Sequence, residues 1–241
     1  MAEFKSWRSY WEFEAAVRTK MRYIYDSDVK VFLDAVLATG YKRVQVIPPA
    51  VYFWRAQLGN EWYQPNEYVE EPIPYAAERM KPLKDQSREG RANPKGIAYL
   101  YLATSRETAL AEVRPWVGSM VSVAQFKTIR ELRLVNCTTD EKGRRVYLDK
   151  EPSPPEREEA VWAEIDRAFA QPVNPSDDLA DYIPTQIIAE LFKANGFDGV
   201  AYRSSLGREH NVALFDIDAA ELVNRFLFEL ESLKFKFRQV R

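Results

Sequence analysis

A loop, a strand and a helix follow one another between residues 90 and 113, and this segment constrains the fold more than any other. The loop, Gly90 to Gly96, is rich in glycine, asparagine and proline and carries Arg91. The apolar run from Ile97 to Ala103 is typical of a buried strand. A helix follows, in which Glu112 is flanked by alanine, leucine and valine. A carboxylate in such dry surroundings is either paired or used for chemistry. Together with the arginine just upstream, it predicts a site for an anionic substrate and an acid–base or charge-stabilising step.

The first 43 residues predict a helical hairpin. Aromatic side chains recur at helical spacing from residue 6 to about residue 24. A second helix is expected to begin with Ser27 as its N-cap and to end at Gly40. A stripe of aromatic residues on a helix is usually core. The hairpin is therefore expected to be covered by the rest of the chain, by a second copy or by an inhibitor.

The remainder, residues 44–241, predicts an α+β domain because strands and helices mix without the alternation of a parallel sheet. The boundary is placed before Pro48-Pro49. Residues 60–95 predict a long irregular region with one short helix. Thr104 and Glu107 match a capping box that opens the next helix. The predicted strands cover 51–56, 97–103, 121–126, 132–135, 199–205, 212–215, 225–230 and 234–238. The helix that follows the strand at 97–103 is predicted to end near residue 115, and two further helices are predicted at 156–169 and 182–194.

Composition excludes several classes of function. The 34 basic and 36 acidic residues give a net charge of −2, which argues against nucleic-acid binding. One cysteine, Cys137, excludes a disulfide within the chain, and with one histidine, His210, it excludes a zinc site built from these residue types. No metal site is expected. The N-terminus lacks an apolar signal run and no window is apolar enough to span a bilayer, so a cytoplasmic protein is predicted.

Eight short motifs occur in an order that resembles the RES domain, a family named for its arginine, glutamate and serine. The resemblance covers roughly residues 50–216. Each motif alone is weak evidence, whereas eight in the family's order are a strong signal. The motifs are Trp54–Ala56, Gly90–Gly96, Leu100–Ala103, Thr108–Glu112, Pro184–Gln186, Gly196–Gly199, Tyr202–Ser205 and Asn211–Phe215.

The resemblance implies a fold similar to ADP-ribosyltransferases, with a mixed or antiparallel sheet, flanking helices and the N-terminal helical hairpin. Characterised members are bacterial toxins that consume NAD+ by hydrolysis or phosphorolysis, often paired with an Xre-type antitoxin. We therefore expect an NAD+ glycohydrolase or phosphorylase that acts as an intracellular toxin or defence effector, with NAD+ as substrate rather than cofactor. The alternatives are an ADP-ribosyltransferase and an inactive domain that binds a nucleotide or a partner. A homodimer and another kind of inhibitor also remain open.

Carried over by position, the resemblance implies roles for eight residues. The catalytic residues are Arg55, Glu112 and Ser204. The substrate-binding residues are Arg91, Tyr101, Trp54, Ser205 and Asn211, where Arg91 matches the second family arginine and Ser205 is the alternate to Ser204. The family often has a further arginine where this chain has Gln57, so phosphate binding is expected to rest on Arg55 and Arg91.

The chemistry of NAD+ cleavage fits these residue types. A guanidinium suits the pyrophosphate better than an ammonium does. An aromatic face, from Trp54, Tyr101 or Tyr52, can hold the nicotinamide ring. A carboxylate such as Glu112 can stabilise the positive charge that develops on ribose, and Ser204 can bond ribose or the nicotinamide amide. No Gly-x-Gly-x-x-Gly motif is present, so hydride transfer has no support.

Each of these residues also has a purely structural interpretation. Arg55 is then an arginine at the edge of the core, paired with an acid. Arg91 is a solvated loop charge, and Glu112 pairs on the helix surface with Arg106 or Arg114.

Overall fold

The computed structural model describes residues 3–84, 87–139, 147, 150–171, 179–234, 237 and 239. Part of the strand predicted at 234–238 lies outside these residues. The helices are α1 (Ser9–Thr19), α2 (Ser27–Gly40), α3 (Ala77–Met80), α4 (Arg106–Glu112), α5 (Pro154–Ala170) and α6 (Ile183–Ala194), with 3-10 turns at Tyr41–Arg43 and Leu179–Tyr182. The strands are β1 (Val44–Ile47), β2 (Tyr52–Leu58), β3 (Glu61–Asn66), β4 (Val69–Ile73), β5 (Leu100–Ala103), β6 (Met120–Thr128), β7 (Leu132–Asn136), β8 (Gly199–Arg203), β9 (His210–Leu214) and β10 (Ala220–Glu229).

Eight of these strands form one mixed sheet in the order β1-β7-β8-β9-β5-β2-β6-β10. Strands β7 and β8 are parallel, and the other neighbours are antiparallel. The helices flank this sheet. The predicted α+β architecture is confirmed, and β10 is an edge strand, as the alternation at 225–230 predicts.

The sheet opens between two of its central strands. On one side, β2 pairs with β6 from Tyr52↔Lys127 to Leu58↔Val121. On the other side, β2 and β5 share the single register pair Trp54↔Ala103. The two strands diverge beyond that pair, and the opening leaves room for a cavity within the sheet.

The N-terminal hairpin packs against the chain itself. The rings of Phe13 in α1 and Phe32 in α2 stack with centroids 4.4 Å apart, and both belong to a buried cluster shared with α5 and α6. Trp162 in α5 donates from Nε1 to Thr39 Oγ1 in α2 at 3.0 Å. The aromatic stripe is therefore core. No helix of the described residues has both the length and the apolar character needed to cross a membrane.

Two local predictions about helix starts are wrong. Asp26, not Ser27, caps α2, where its side chain accepts from the Val29 amide. Ser105, not Thr104, caps α4. Neighbouring residues of these types compete for the same cap, and sequence alone does not decide between them. The prediction that α2 ends at Gly40 is confirmed, although Gly40 has helical rather than left-handed dihedral angles and a 3-10 turn follows it. A Cβ at this position would lie 2.9 Å from the Phe192 ring, so Gly40 also provides space.

Residues 60–95 contain more structure than predicted. The short helix is present as α3, but β3 and β4 add a hairpin that forms its own two-stranded sheet. Its residues 62–72 are all exposed, including Trp62, Tyr63 and Tyr68. Neither face is buried, so the sequence lacks the apolar alternation by which a strand is recognised.

Candidate active site

A cavity of about 540 Å³ occupies the opening between β2 and β5. Its walls come from β2, β5, α4 and the loop that precedes β5. Six of the eight predicted site residues line it, namely Trp54, Arg55, Arg91, Tyr101, Glu112 and Asn211. Such a volume falls in the range of small-molecule sites.

The Glu112 carboxylate, at the last residue of α4, is held in one orientation. Its Oε1 accepts from Ser204 Oγ at 2.6 Å and from Asn211 Nδ2 at 2.7 Å. Its Oε2 lies 4.0 Å from Arg91 Nη2. Arg106, one of the partners offered by the structural interpretation, pairs with Glu107 instead. One carboxylate oxygen is thus fixed by neutral donors, and the other faces a cation.

Ser204 supports this carboxylate from the turn after β8. Its Oγ donates to Glu112 and accepts from the amides of Leu206 and Gly207, at 3.2 and 2.7 Å. These bonds occupy the hydroxyl, so in this geometry Ser204 orients Glu112. A direct bond from Ser204 to a ligand stays a prediction. Ser205 is exposed on the same turn and does not line the cavity.

Arg55 is a cation that has no acidic partner among the residues that the structure describes. Its Nη1 donates to the Tyr101 carbonyl at 2.9 Å, across the gap between β2 and β5. Its Nε is buried and has no hydrogen-bond partner among the described residues. Burial lowers the pKa of the Arg55 guanidinium to about 10. The interpretation of Arg55 as half of a core-edge ion pair is therefore wrong, and the guanidinium offers unused donors to an anion.

Arg91 is anchored rather than solvated. Its Nη1 donates to the carbonyls of Phe169 and Ala170 at 2.6 and 2.9 Å. These carbonyls end α5, where the helix dipole favours a positive charge. Only 12% of the Arg91 side chain is exposed. The interpretation of Arg91 as a free loop charge is wrong.

The segment that carries this arginine, residues 90–93, is called the Arg91 loop below. Tyr101 Oη donates to Asn93 Oδ1 at 2.6 Å and accepts from the Ala92 amide at 2.9 Å. Burial raises the pKa of the Tyr101 phenol, which therefore stays a neutral donor. Gly90 has no room for a side chain, since a Cβ there would lie 2.7 Å from Tyr101 Oη. The Tyr101 hydroxyl thus serves the loop, and a contact of its ring with substrate stays a prediction.

Sequence reasoning missed several residues of the cavity wall. Tyr202, Tyr182 and Arg88 line the cavity together with Trp54. Tyr202 lies two residues before Ser204 on β8, so the motif around that serine contained the signal that could have found it. Tyr52 does not line the cavity and is 50% exposed, so it is unsuited to hold the nicotinamide ring.

The chain's departure from the family pattern has a local structural role. Gln57 Nε2 donates to the Arg79 carbonyl at 2.9 Å and so links β2 to α3. The side chain does not line the cavity. The expectation that Arg55 and Arg91 bind phosphate stays a prediction. Within the described part of the chain, no three histidine, cysteine or acidic side chains gather as a metal site requires.

Comparison with known proteins gives two matches. The sequence matches the model of the RES domain over residues 53–236. The chain is also similar to a chain of the crystal structure of the M. tuberculosis MbcT–MbcA toxin–antitoxin complex, with 15% identity, a TM-score of 0.45 and coverage of 82% of this chain and 94% of that one. No curated protein matches the sequence.

Proposed function

Since the chain belongs to the RES domain family, we propose that it cleaves the bond between nicotinamide and ribose in NAD+, as a glycohydrolase or phosphorylase. One observation carries the proposal. Two groups line the same 540 Å³ cavity: the Arg55 guanidinium, which has no acidic partner in the described part of the chain, and the oriented carboxylate of Glu112. NAD+ presents an anionic pyrophosphate and a glycosidic bond whose cleavage builds positive charge, and these two groups suit those two features.

The two arginines are the proposed pyrophosphate site. The donors of Arg55 reach the cavity from the sheet, and those of Arg91 reach it from the loop. Guanidinium groups form paired hydrogen bonds with phosphate oxygens, and burial strengthens such bonds. The aromatic rings of Trp54 and Tyr202 supply apolar wall for the ring systems of the dinucleotide.

Glu112 is the proposed catalytic carboxylate. When the bond between ribose C1′ and the nicotinamide nitrogen breaks, its electron pair leaves with nicotinamide and the ribose becomes cationic. Oε2 of Glu112 stabilises this charge, while Ser204 and Asn211 keep the carboxylate in place through Oε1. Water then adds to C1′ and releases one proton, which gives nicotinamide, ADP-ribose and H+. In the phosphorolytic reaction, inorganic phosphate adds in place of water.

We further propose that NAD+ consumption makes this protein an intracellular toxin or defence effector. The proposal is supported by membership of the RES domain family, for which the motif resemblance led us to expect a toxin that consumes NAD+. A cell that makes such an enzyme must restrain it. The expected partner is therefore an Xre-type antitoxin or another inhibitor.

The test follows NAD+, nicotinamide and ADP-ribose by chromatography after incubation with purified protein. Glu112→Gln should lower turnover by about 10²- to 10⁴-fold, because it removes the charge that stabilises the cationic ribose. The matched control is Glu107→Gln, an exposed carboxylate on the same helix, which should retain activity. Incubation with and without phosphate separates phosphorolysis from hydrolysis. Nicotinamide release with ADP-ribose attached to an acceptor would indicate a transferase, and no turnover by folded protein would contradict the proposal.

A further inference from the structure

The first turn of α6 holds the Arg91 loop through two side chains. Thr185 Oγ1 donates to the Arg91 carbonyl at 2.5 Å. Gln186 Nε2 donates to the carbonyls of Gly90 and Asn93, at 2.9 and 3.1 Å. Thr185 and Gln186 are 1% and 8% exposed, so these bonds lie inside the protein. Three of the four carbonyls of the loop are therefore fixed by one helix end.

The residue type at position 186 suits this task closely. The loop turns on itself, with the Gly90 amide donating to the Asn93 carbonyl at 2.9 Å. The Asn93 carbonyl thus accepts from the Gly90 amide as well as from Gln186, and the Gly90 carbonyl accepts from Gln186. Loss of the donor at Gly90 would be costly, because an unpaired buried carbonyl is unfavourable. A glutamine amide offers two N–H groups on one nitrogen. A glutamate at position 186 would place a carboxylate, which is an acceptor, against the two carbonyls. A leucine there would supply no donor.

We propose that Gln186 and Thr185 are positioning residues that set where Arg91 lies in the cavity and so determine the affinity for the anionic part of the substrate. This inference rests on the proposed function. The loop backbone is fixed by α6, while the guanidinium it carries is fixed by the end of α5. Because the Arg91 side chain has a limited length, its guanidinium can reach the carbonyls of α5 only while the loop backbone keeps this position.

Different elements hold the Arg91 loop, which is proposed to bind the substrate, and Glu112, which is proposed to carry the chemistry. Glu112 is oriented by Ser204 and Asn211, which belong to the turn after β8 and to β9. Neither α6 side chain bonds to Glu112 or to these two residues. Loss of the bonds from α6 should therefore weaken binding and raise KM, whereas kcat should change little. A residue that only stabilises the fold would lower the unfolding temperature and leave KM unchanged.

The experiment measures the Kd of ADP-ribose by calorimetry and the steady-state kinetics with NAD+. Gln186→Leu should raise both Kd and KM about tenfold or more, with kcat within about threefold of the wild type. Thr185→Val should act in the same direction, and Thr185→Ser, which keeps the hydroxyl, should restore affinity. The matched control is Asn195→Leu, which removes a side-chain amide bond to the Leu191 carbonyl at the other end of α6.

The outcomes separate this inference from the proposed function. If the wild type binds ADP-ribose without consuming NAD+, the proposed function fails, and the Kd values still decide the role of Gln186. If the wild type binds no ADP-ribose either, amide hydrogen exchange over residues 88–97 decides whether Gln186 fixes the loop. Unchanged Kd and unchanged exchange in folded Gln186→Leu and Thr185→Val would overturn the inference. Faster exchange confined to this loop, together with weaker binding, would support it.

Discussion

Replacement of Arg55 by methionine should strongly weaken ligand binding without destabilising the fold. The guanidinium of Arg55 lies at the gap in the sheet and donates to a backbone carbonyl, and its buried Nε has no partner within the described ranges. A charge in that position is costly until an anion arrives. Methionine keeps an unbranched apolar stem of similar length and omits the charge.

The size of the effect follows from two opposing terms. Burial lowers the pKa of Arg55 from its ordinary value to about 10, which corresponds to a desolvation cost of about 3 kcal/mol at neutral pH. The hydrogen bond from the charged group to the Tyr101 carbonyl offsets about 1.5–3 kcal/mol. Arg55→Met should therefore change the free energy of unfolding by between about 0 and +1.5 kcal/mol, towards greater stability.

Urea unfolding with and without ADP-ribose measures both consequences. At a ligand concentration a hundredfold above Kd, the wild type should gain about 2.7 kcal/mol, and a variant that binds a hundredfold more weakly should gain about 0.4 kcal/mol. The matched control is Arg225→Met on β10, which also removes a guanidinium bond to a backbone carbonyl, at 2.8 Å, but is exposed and outside the cavity. It should cost about 0.5–1.5 kcal/mol and keep the stabilisation by ligand.

Two results would refute this reasoning about Arg55. A loss of more than about 2 kcal/mol in Arg55→Met would show that the arginine is a structural partner of the sheet rather than an unpaired cation. Full stabilisation by ADP-ribose in the variant would show that the anion binds elsewhere.

The lowered pKa of Arg55 also predicts a pH dependence. Below pH 10 the folded state carries the full cost of the buried charge. Between pH 10 and the higher ordinary pKa of arginine, the unfolded chain holds a proton that the folded chain has released, so the contribution of this group to stability rises with pH. A bound pyrophosphate favours the charged form and raises the pKa again. Binding of ADP-ribose near pH 10 should therefore take up a fraction of a proton, measured by calorimetry in buffers of different ionisation enthalpy, and Arg55→Met should lose this uptake.

Three further substitutions test the supports of the site. Gly90→Ala places a Cβ 2.7 Å from Tyr101 Oη and should cost about 1–3 kcal/mol of unfolding free energy, so an unchanged urea midpoint would contradict the loop geometry. Tyr101→Phe removes the phenol bond to Asn93 and should cost about 1–3 kcal/mol; an equally stable variant would show that the bond is dispensable. Ser204→Ala removes one of the two donors to Glu112 Oε1 and should lower kcat by about 10- to 100-fold at similar KM, whereas a change in KM alone would assign the serine to substrate binding.

The sequence predicts the charged residues of the site better than the contacts that hold them in place. Arg55 and Glu112 stand out because each lies among apolar residues where a charge needs a reason. The bonds that fix Arg91 join residues 78 and 79 positions apart and end on backbone carbonyls. A backbone carbonyl has no side-chain identity, so no residue pattern in the sequence marks it. The opening between β2 and β5 is hidden for the same reason, since it depends on which backbone groups fail to pair.

The β3–β4 hairpin has a consequence for how the protein behaves at high concentration. Its Trp62, Tyr63 and Tyr68 are 62%, 54% and 92% exposed. The sequence from residue 56 to residue 78 contains five glutamates and no lysine or arginine. Two copies that met through these aromatic rings would bring like charges together, so the carboxylates act against self-association. Salt screens this repulsion and acid removes it. The colloidal stability of the protein is therefore governed in part by a hairpin that lies outside the cavity.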